Sequence, residues 1–347
     1  MITHYHFLPP RKLYKILWAS RNDIARVEAL LHDFFGKPVV LLNAARTGAF
    51  IALSAKGFKR TAEVLVPPYP PKCMLDTIGE RAVPTLHAGP RTKAVLLVHQ
   101  YGYPQKMDVV MPIAREKNLM VIEDSASSFG SRYKGTLVGT FGDVAIFTFP
   151  KAFQTILGGC MVTDDEEILS YARNYLKKQD TFVWRSVSTL ALFAAAFEYA
   201  TFSGRFHSFA NHMLGLAYSK FLFFPNPNKR VCHLFPNTEE EFIRQIEARK
   251  ENLAIFREYF GGTPAYPKEV EEDSDVVPFV APYFGEREKL DRVVEALSKK
   301  DIRSGVYHFD INRNMFDQRY VPTVSVPVHQ GIDKSTMRDI CEIIQRA

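Results

Sequence analysis

The chain has 347 residues, of which 46% are hydrophobic and 24% charged, and a net charge of +6. That length admits a sizeable core, with one large domain and a smaller one. With no low-complexity tract and no block of lysine and arginine, a disordered chain and a nucleic-acid partner are both excluded. The four cysteines, Cys73, Cys160, Cys232 and Cys341, form no C-x-x-C pair. This speaks against a zinc or redox motif and suits a reduced, cytoplasmic setting. The first residues, MITHYHFLPPRKLYK, lack the apolar run of a signal peptide.

Residues 20–36 read as a helix. Ile24, Val27, Leu30, Leu31 and Phe34 recur at helical spacing, Ser20 or Asn22 offers a cap, and Gly36 stops it. A strand over Val39 to Leu42 follows, then a turn of small residues opening a second helix. Small residues there let backbone N–H groups at a helix start approach a phosphate. Glu63 to Val66 is a strand and residues 72–79 a helix. AVLLVHQYG is a buried-type strand ending at His99, and QKMDVVMPIAREKN is a crossover helix leading to LMVIED. Strand, helix, strand in this alternation predicts a right-handed βαβ unit and a mostly parallel sheet.

The stretch from Val121 to Thr163 holds two apolar runs, LMVIED and VAIFTFPK, each ending in a charge: Asp124 and Lys151. Ligands in open α/β sheets sit beyond the carboxyl ends of such buried strands. Alone, the Asp is a turn former and the Lys a surface charge. Together they suit pyridoxal 5'-phosphate (PLP), which needs a lysine amine for its Schiff base and a carboxylate on its pyridinium nitrogen.

The same residues carry a resemblance. Glu123-Asp124-Ser125-Ala126, Gly142-Asp143, Phe147-Thr148-Phe149, Lys151 and Gly158-Gly159 fall in the order and spacing of a known motif. The chain resembles the DegT/DnrJ-type sugar aminotransferases, a branch of the fold type I PLP enzymes. The resemblance implies Lys151 as the catalytic residue, Asp124 on the ring nitrogen, and Thr148 on the phosphate with the main chain of Ala45, Arg46 and Thr47. It puts Ser127 where the family usually has Gln or His, against the cofactor's phenolic oxygen. It puts Pro71 where an aromatic residue or Cys often packs on the ring, with Tyr69 as a substitute. Leu157 replaces an acidic residue common before Gly158. His99, in a V-H-x-Y-G segment, is read as structural.

Residues 181–224 are apolar and aromatic, and read as buried helices and dimer contacts. A second reading is a peripheral membrane-facing surface flanked by Arg185, Arg205 and Lys220. His207 and His212 have no carboxylate partner, so no metal site is expected. Asn228 to Val231 stand where the family has N-Y-R-M, which places Asn228 or Arg230 near the cofactor phosphate of a second subunit and implies a homodimer. A long amphipathic helix starts at Thr238, with Glu241 three residues on. From Val277 the order strand, helix, strand, strand, helix gives an α+β unit, whose Tyr307 and His308 are candidates to face substrate.

The expected architecture is therefore a fold type I α/β enzyme. Residues 1–240 form a large PLP-binding domain with a mostly parallel mixed sheet between helices, and residues 241–347 a linker helix and a small C-terminal domain. The expected reaction moves an amino group from an amino acid, glutamate, to a keto sugar, nucleotide-linked. The alternatives are a PLP-dependent sugar dehydratase, against which the retained Lys151 argues, and a non-catalytic relative with a binding or regulatory role.

Overall fold

A computed structural model describes residues 2–200 and 221–347 except Phe7, Pro9 and Arg21. The readings made at Arg205, His207, His212 and Lys220 lie outside the described residues. In chain order the first nine strands are β1 (Val39–Leu42), β2 (Glu63–Leu65), β3 (Val83–Thr85), β4 (Thr92–Val98), β5 (Met120–Asp124), the short β6 (Arg132–Tyr133) and β7 (Thr136–Leu137), β8 (Val144–Thr148) and β9 (Gly159–Val162). Seven of them make one sheet in the order β1-β9-β8-β5-β4-β2-β3. All run parallel except β9, which is antiparallel to both its neighbours. The sheet is thus mixed but mostly parallel, as the apolar runs predict. Its carboxyl ends at Leu42, Leu65, Val98, Asp124 and Thr148 share one edge.

The strands are apolar on both faces because both are covered. The helices of this part are α1 (Asp23–Phe35), α2 (Ala45–Ala55), α3 (Lys72–Gly79), α4 (Met107–Glu116), the single turn α5 (Phe149–Ala152), α6 (Glu166–Gln179), α7 (Phe182–Ala200), α8 (Lys229–Leu234) and α9 (Glu239–Phe260). Leu42, Val64, Leu96, Ile122, Ile146 and Met161 point to one side, against α2, α3 and α6. Their neighbours Leu41, Ala145, Phe147 and Cys160 point to the other, against α1, α9 and Phe129. Leu65, Val95, Leu97 and Val121 continue that second side under α4.

Two helix starts test the capping rules. Thr238 Oγ1 accepts the Glu241 N–H at 3.1 Å, as expected. Glu241 reaches back to the N–H of Asn237, one residue earlier than the standard box. At α1 neither Ser20 nor Asn22 caps a helical N–H. Asn22 holds the cap position without a side-chain bond, and Asp23 instead accepts the Ser20 N–H at 2.6 Å. Gly36 ends the helix in the left-handed region, φ +62°.

The C-terminal part contains the short β10 (Ser274–Asp275), β11 (Val280–Phe284), α10 (Arg287–Ser298), β12 (Val306–Asp310), β13 (Tyr320–Pro327) and α11 (Lys334–Arg346). Strand β13 lies between β11 and β12, antiparallel to both. This sheet packs with α9, α10 and α11 around Leu253, Phe256, Leu290, Val324, Met337 and Ile340. Helix α9 therefore serves two cores: Phe242 and Ile246 in the first, Leu253 and Phe256 in the second.

Candidate active site

The site begins where β5 ends. Glu123 is fully buried, and its carboxylate accepts the N–H groups of Gly139 (2.9 Å), Phe141 (2.8 Å) and Gly142 (2.6 Å). His99, also fully buried, lies 3.1 Å from it through Nε2. Because His99 Nδ1 accepts the Gln105 N–H, the proton sits on Nε2 and is donated to Glu123. His99 is thereby satisfied on both nitrogens, consistent with a structural role. The Gly142-Asp143 pair explains itself alongside. A Cβ at Gly142 would stand 2.9 Å from the Val121 carbonyl, and Asp143 Oδ2 accepts the Val121 N–H at 2.6 Å. Together they pin the start of β8 to β5.

Asp124, next in the chain, is 6% exposed, and its Oδ1 accepts the Ala126 N–H at 3.1 Å. Burial pushes its carboxyl above the ordinary value, and the Lys151 ammonium, acting oppositely, pulls it down. The two charges thus feel each other across the sheet edge. Lys151 does not end β8: it stands three residues beyond, in α5. Its Nζ donates to Ser127 Oγ at 3.0 Å and lies 5.4 Å from the centre of the Phe279 ring. The narrow cleft of about 10 Å³ between Lys151, Ser127 and α9 holds one water at most. Thr148 is half-buried at the start of α5 and makes no capping bond there.

The expected phosphate turn lies at the same edge. Gly159 pairs with Leu42 on one side and Thr148 on the other. A Cβ on Gly159 would meet the Ala45 nitrogen at 2.8 Å, so the start of α2 rests directly on this glycine. Thr47 is fully buried and its hydroxyl donates to Asn43 Oδ1 at 2.8 Å. Asn43 in turn binds the carbonyls of Pro225 and Phe221, and the Arg46 guanidinium lies over the Phe221 ring at 4.8 Å. Residues 221–225 therefore close over this turn.

Other expected residues are scattered more widely. Pro71 is exposed at the start of α3. Tyr69 stacks on His308, ring centres 4.8 Å apart and 5° from parallel, which joins the loop after β2 to β12. Tyr307 is 49% exposed beside it. Asn228 caps α8, its Oδ1 accepting the Arg230 N–H, while its amide donates to Ser188. It lines a separate cavity of about 520 Å³ with Trp184, Phe224 and Lys229. Within this chain it does not join the Lys151 cleft.

Arg249 is the residue that sequence reasoning missed. It is 3% exposed, and its guanidinium donates to the carbonyls of Lys151 (2.6 Å), Ala152 (3.3 Å) and Pro278 (3.1 Å). Burial alone lowers its pKa to about 9. The signal was present: positions 242, 246, 249, 253 and 256 form the apolar stripe of α9, and an arginine stands in it. A buried arginine is held by what it binds, here the backbone that carries the lysine.

Comparison with known proteins finds one family over the middle of the chain. Residues 87–187 match the model of the DegT/DnrJ/EryC1/StrS aminotransferase family. The chain is similar to that family over this stretch. The stretch spans β4 to β9, hence both Asp124 and Lys151. A GDP-perosamine synthase of Escherichia coli O157:H7 is 48% identical over 80 residues, 22% of each chain. A GDP-4-keto-6-deoxy-D-mannose 3-dehydratase of Yersinia pseudotuberculosis is 38% identical over 80 residues, 22% of this chain and 20% of that one. The chain thus spans about a fifth of the length of these curated relatives. A DegT/DnrJ/EryC1/StrS aminotransferase from Brucella abortus superposes with a TM-score of 0.70 at 15% identity, covering 95% of this chain and 91% of that one. Such a likeness shows the fold, which is the fold type I architecture.

The residues present fit the family's cofactor. An amine and a buried carboxylate of raised pKa share one edge, beside a helix start pressed against bare glycine backbone. In the turn after Asp124, the buried hydroxyls of Ser125 and Ser128 have no partner among the described residues. Among the described residues no cluster of His, Cys, Asp and Glu could hold a metal, and no helix is long and apolar enough to cross a membrane.

Proposed function

We propose that the chain is a PLP-dependent aminotransferase that moves an amino group from glutamate to the ketone carbon of a nucleotide-linked sugar. The observation that carries this reading is the placement of Lys151 and buried Asp124 at the carboxyl edge of the parallel sheet, with the Lys151 amine bonded to Ser127 in the turn that follows Asp124. The cofactor, when bound, supplies an electron sink for the carbon that loses or gains a proton. Lys151 would hold it and, once freed by the incoming amine, carry that proton on Nζ. Ser127 orients the Lys151 amine through its 3.0 Å bond. Arg249 fixes the same residue from behind by its carbonyl. Asp124 would keep the ring nitrogen protonated, and the positive charge there would in turn hold the buried carboxylate ionised against the cost of its burial. Thr148 and the amides of Ala45, Arg46 and Thr47 would take the phosphate, and Pro71 or Tyr69 the ring face. Tyr307 and His308 would meet the sugar nucleotide.

In this reading the chain works as a cytoplasmic homodimer, with Asn228 reaching the phosphate of the second subunit. It divides at residue 240 into a large cofactor-binding domain and a small one. The test is amine transfer from isotopically labelled glutamate to a panel of nucleotide-linked keto sugars in the presence of PLP. Labelled amino sugar is the expected product. Loss of water from a keto sugar without transfer would make the chain a dehydratase, and no reaction across the panel would make it a binding relative.

A further inference from the structure

Helix α7 has two apolar faces, and among the described residues one of them is covered. Trp184, Ala191, Leu192 and Ala195 pack against Leu13 and Ile16 of the 3₁₀ segment Pro10–Leu17 and against Phe221 and Phe224. Residues 182, 183, 186 and 190 lie on the opposite side by helical spacing. There Phe182 is 84% exposed, Val183 62% and Leu190 68%, and no charged residue interrupts them. The neighbouring 3₁₀ segment turns Tyr14, Leu17 and Trp18 outward, at 57%, 59% and 67%. These six side chains are half of the large apolar groups exposed among the described residues, gathered in two short stretches. Scattered single exposures need no explanation, but a gathered patch does.

The charged residues of the two segments are mostly basic, and Glu241 is an acid that shares a cavity with Lys12, Tyr14, Lys15 and Trp18. Residues 10–20 carry Arg11, Lys12 and Lys15 and no acid. Residues 177–190 carry Lys177, Lys178 and Arg185 against the single Asp180, which is spent on Arg185. Lys12, Lys15, Lys177 and Lys178 are exposed.

We propose that this face docks on the surface of an anionic lipid bilayer, with Phe182, Val183, Leu190, Leu17 and Trp18 at the headgroup boundary and the four lysines on lipid phosphates. Helix α7 is not apolar enough over its length to cross a bilayer, so it lies along the surface. The proposal is independent of the reading of the Lys151 site. The test is sedimentation of the full chain with vesicles of phosphatidylcholine, alone or mixed with phosphatidylglycerol. Binding to the mixed vesicles only is expected, weakened by salt. Each of Lys12→Gln, Lys15→Gln and Lys177→Gln should weaken it by about fivefold. The pair Phe182→Glu and Leu190→Glu, on exposed positions that leave the core intact, should weaken it more than about tenfold. Equal sedimentation with both vesicle types, or none, would overturn the proposal. So would a double variant that changes oligomeric state and leaves sedimentation unchanged, since a second copy would then cover the face.

Discussion

Asp124 is held at a cost that the apoprotein carries and the cofactor would repay. Its folded pKa lies above the ordinary carboxylate value because burial outweighs the pull of Lys151. Between those two values the native chain binds more protons than the unfolded one, so stability falls as pH rises through that window and stays lowered at neutral pH. Asp124→Asn keeps an acceptor for the Ala126 N–H and removes the buried charge. The variant apoprotein should melt higher than the parent at pH 7, with the gap closing in acid, while amine transfer drops by about 100-fold or more. A lower melting temperature at pH 7 would show that the charge stabilises the apoprotein. The residue pattern made Asp124 and Lys151 legible because each charge closes an apolar run. Arg249 was hidden because arginine on a long helix reads as surface until the register of the stripe is followed.

At the scale of elements, the paired glycines set how closely helix and sheet approach. A Cβ on Gly159 would stand 2.3 Å from the Phe147 carbonyl and 2.8 Å from the Ala45 nitrogen, both backbone atoms that cannot swing away. Gly159→Ala should therefore cost about 1–3 kcal/mol in chemical denaturation and shift the start of α2. Gly79→Ala is the matched control, with nothing within 4 Å of its added methyl. It should be neutral or raise stability by up to about 1 kcal/mol. The strands and most helices were readable from apolar runs and periodicity. At the start of α1 Asn22 takes the cap position that the sequence offered, but its side chain caps no N–H, and Asp23 binds back to the Ser20 N–H instead. The antiparallel hand of β9 was not readable, because a short buried run looks the same in either direction.

Over the whole molecule, the two ends of the chain meet behind the lysine. His6 and His329 stack with ring centres 5.2 Å apart and 4° from parallel, near the Arg249 charge. Burial first, then Arg249, lowers His6 to about 4 and His329 to about 3. Both are neutral in the native state at pH values where the unfolded chain protonates them. Stability is therefore full above pH 6.5 and is lost as pH falls from there toward 4, by an amount on the order of a few kcal/mol. His329→Gln should flatten that acid limb in denaturant titrations, whereas an unchanged limb would move its cause elsewhere. No sequence pattern pairs residues so far apart, and this contact is legible only in three dimensions.

The central claim is that Lys151 and Asp124 serve one cofactor, and absorbance tests it most directly. Adding PLP to the purified chain should produce a visible band that dialysis does not remove and that Lys151→Ala abolishes, with Lys151→Ala still folded by circular dichroism. An identical spectrum in parent and variant, with or without a band, would contradict the account.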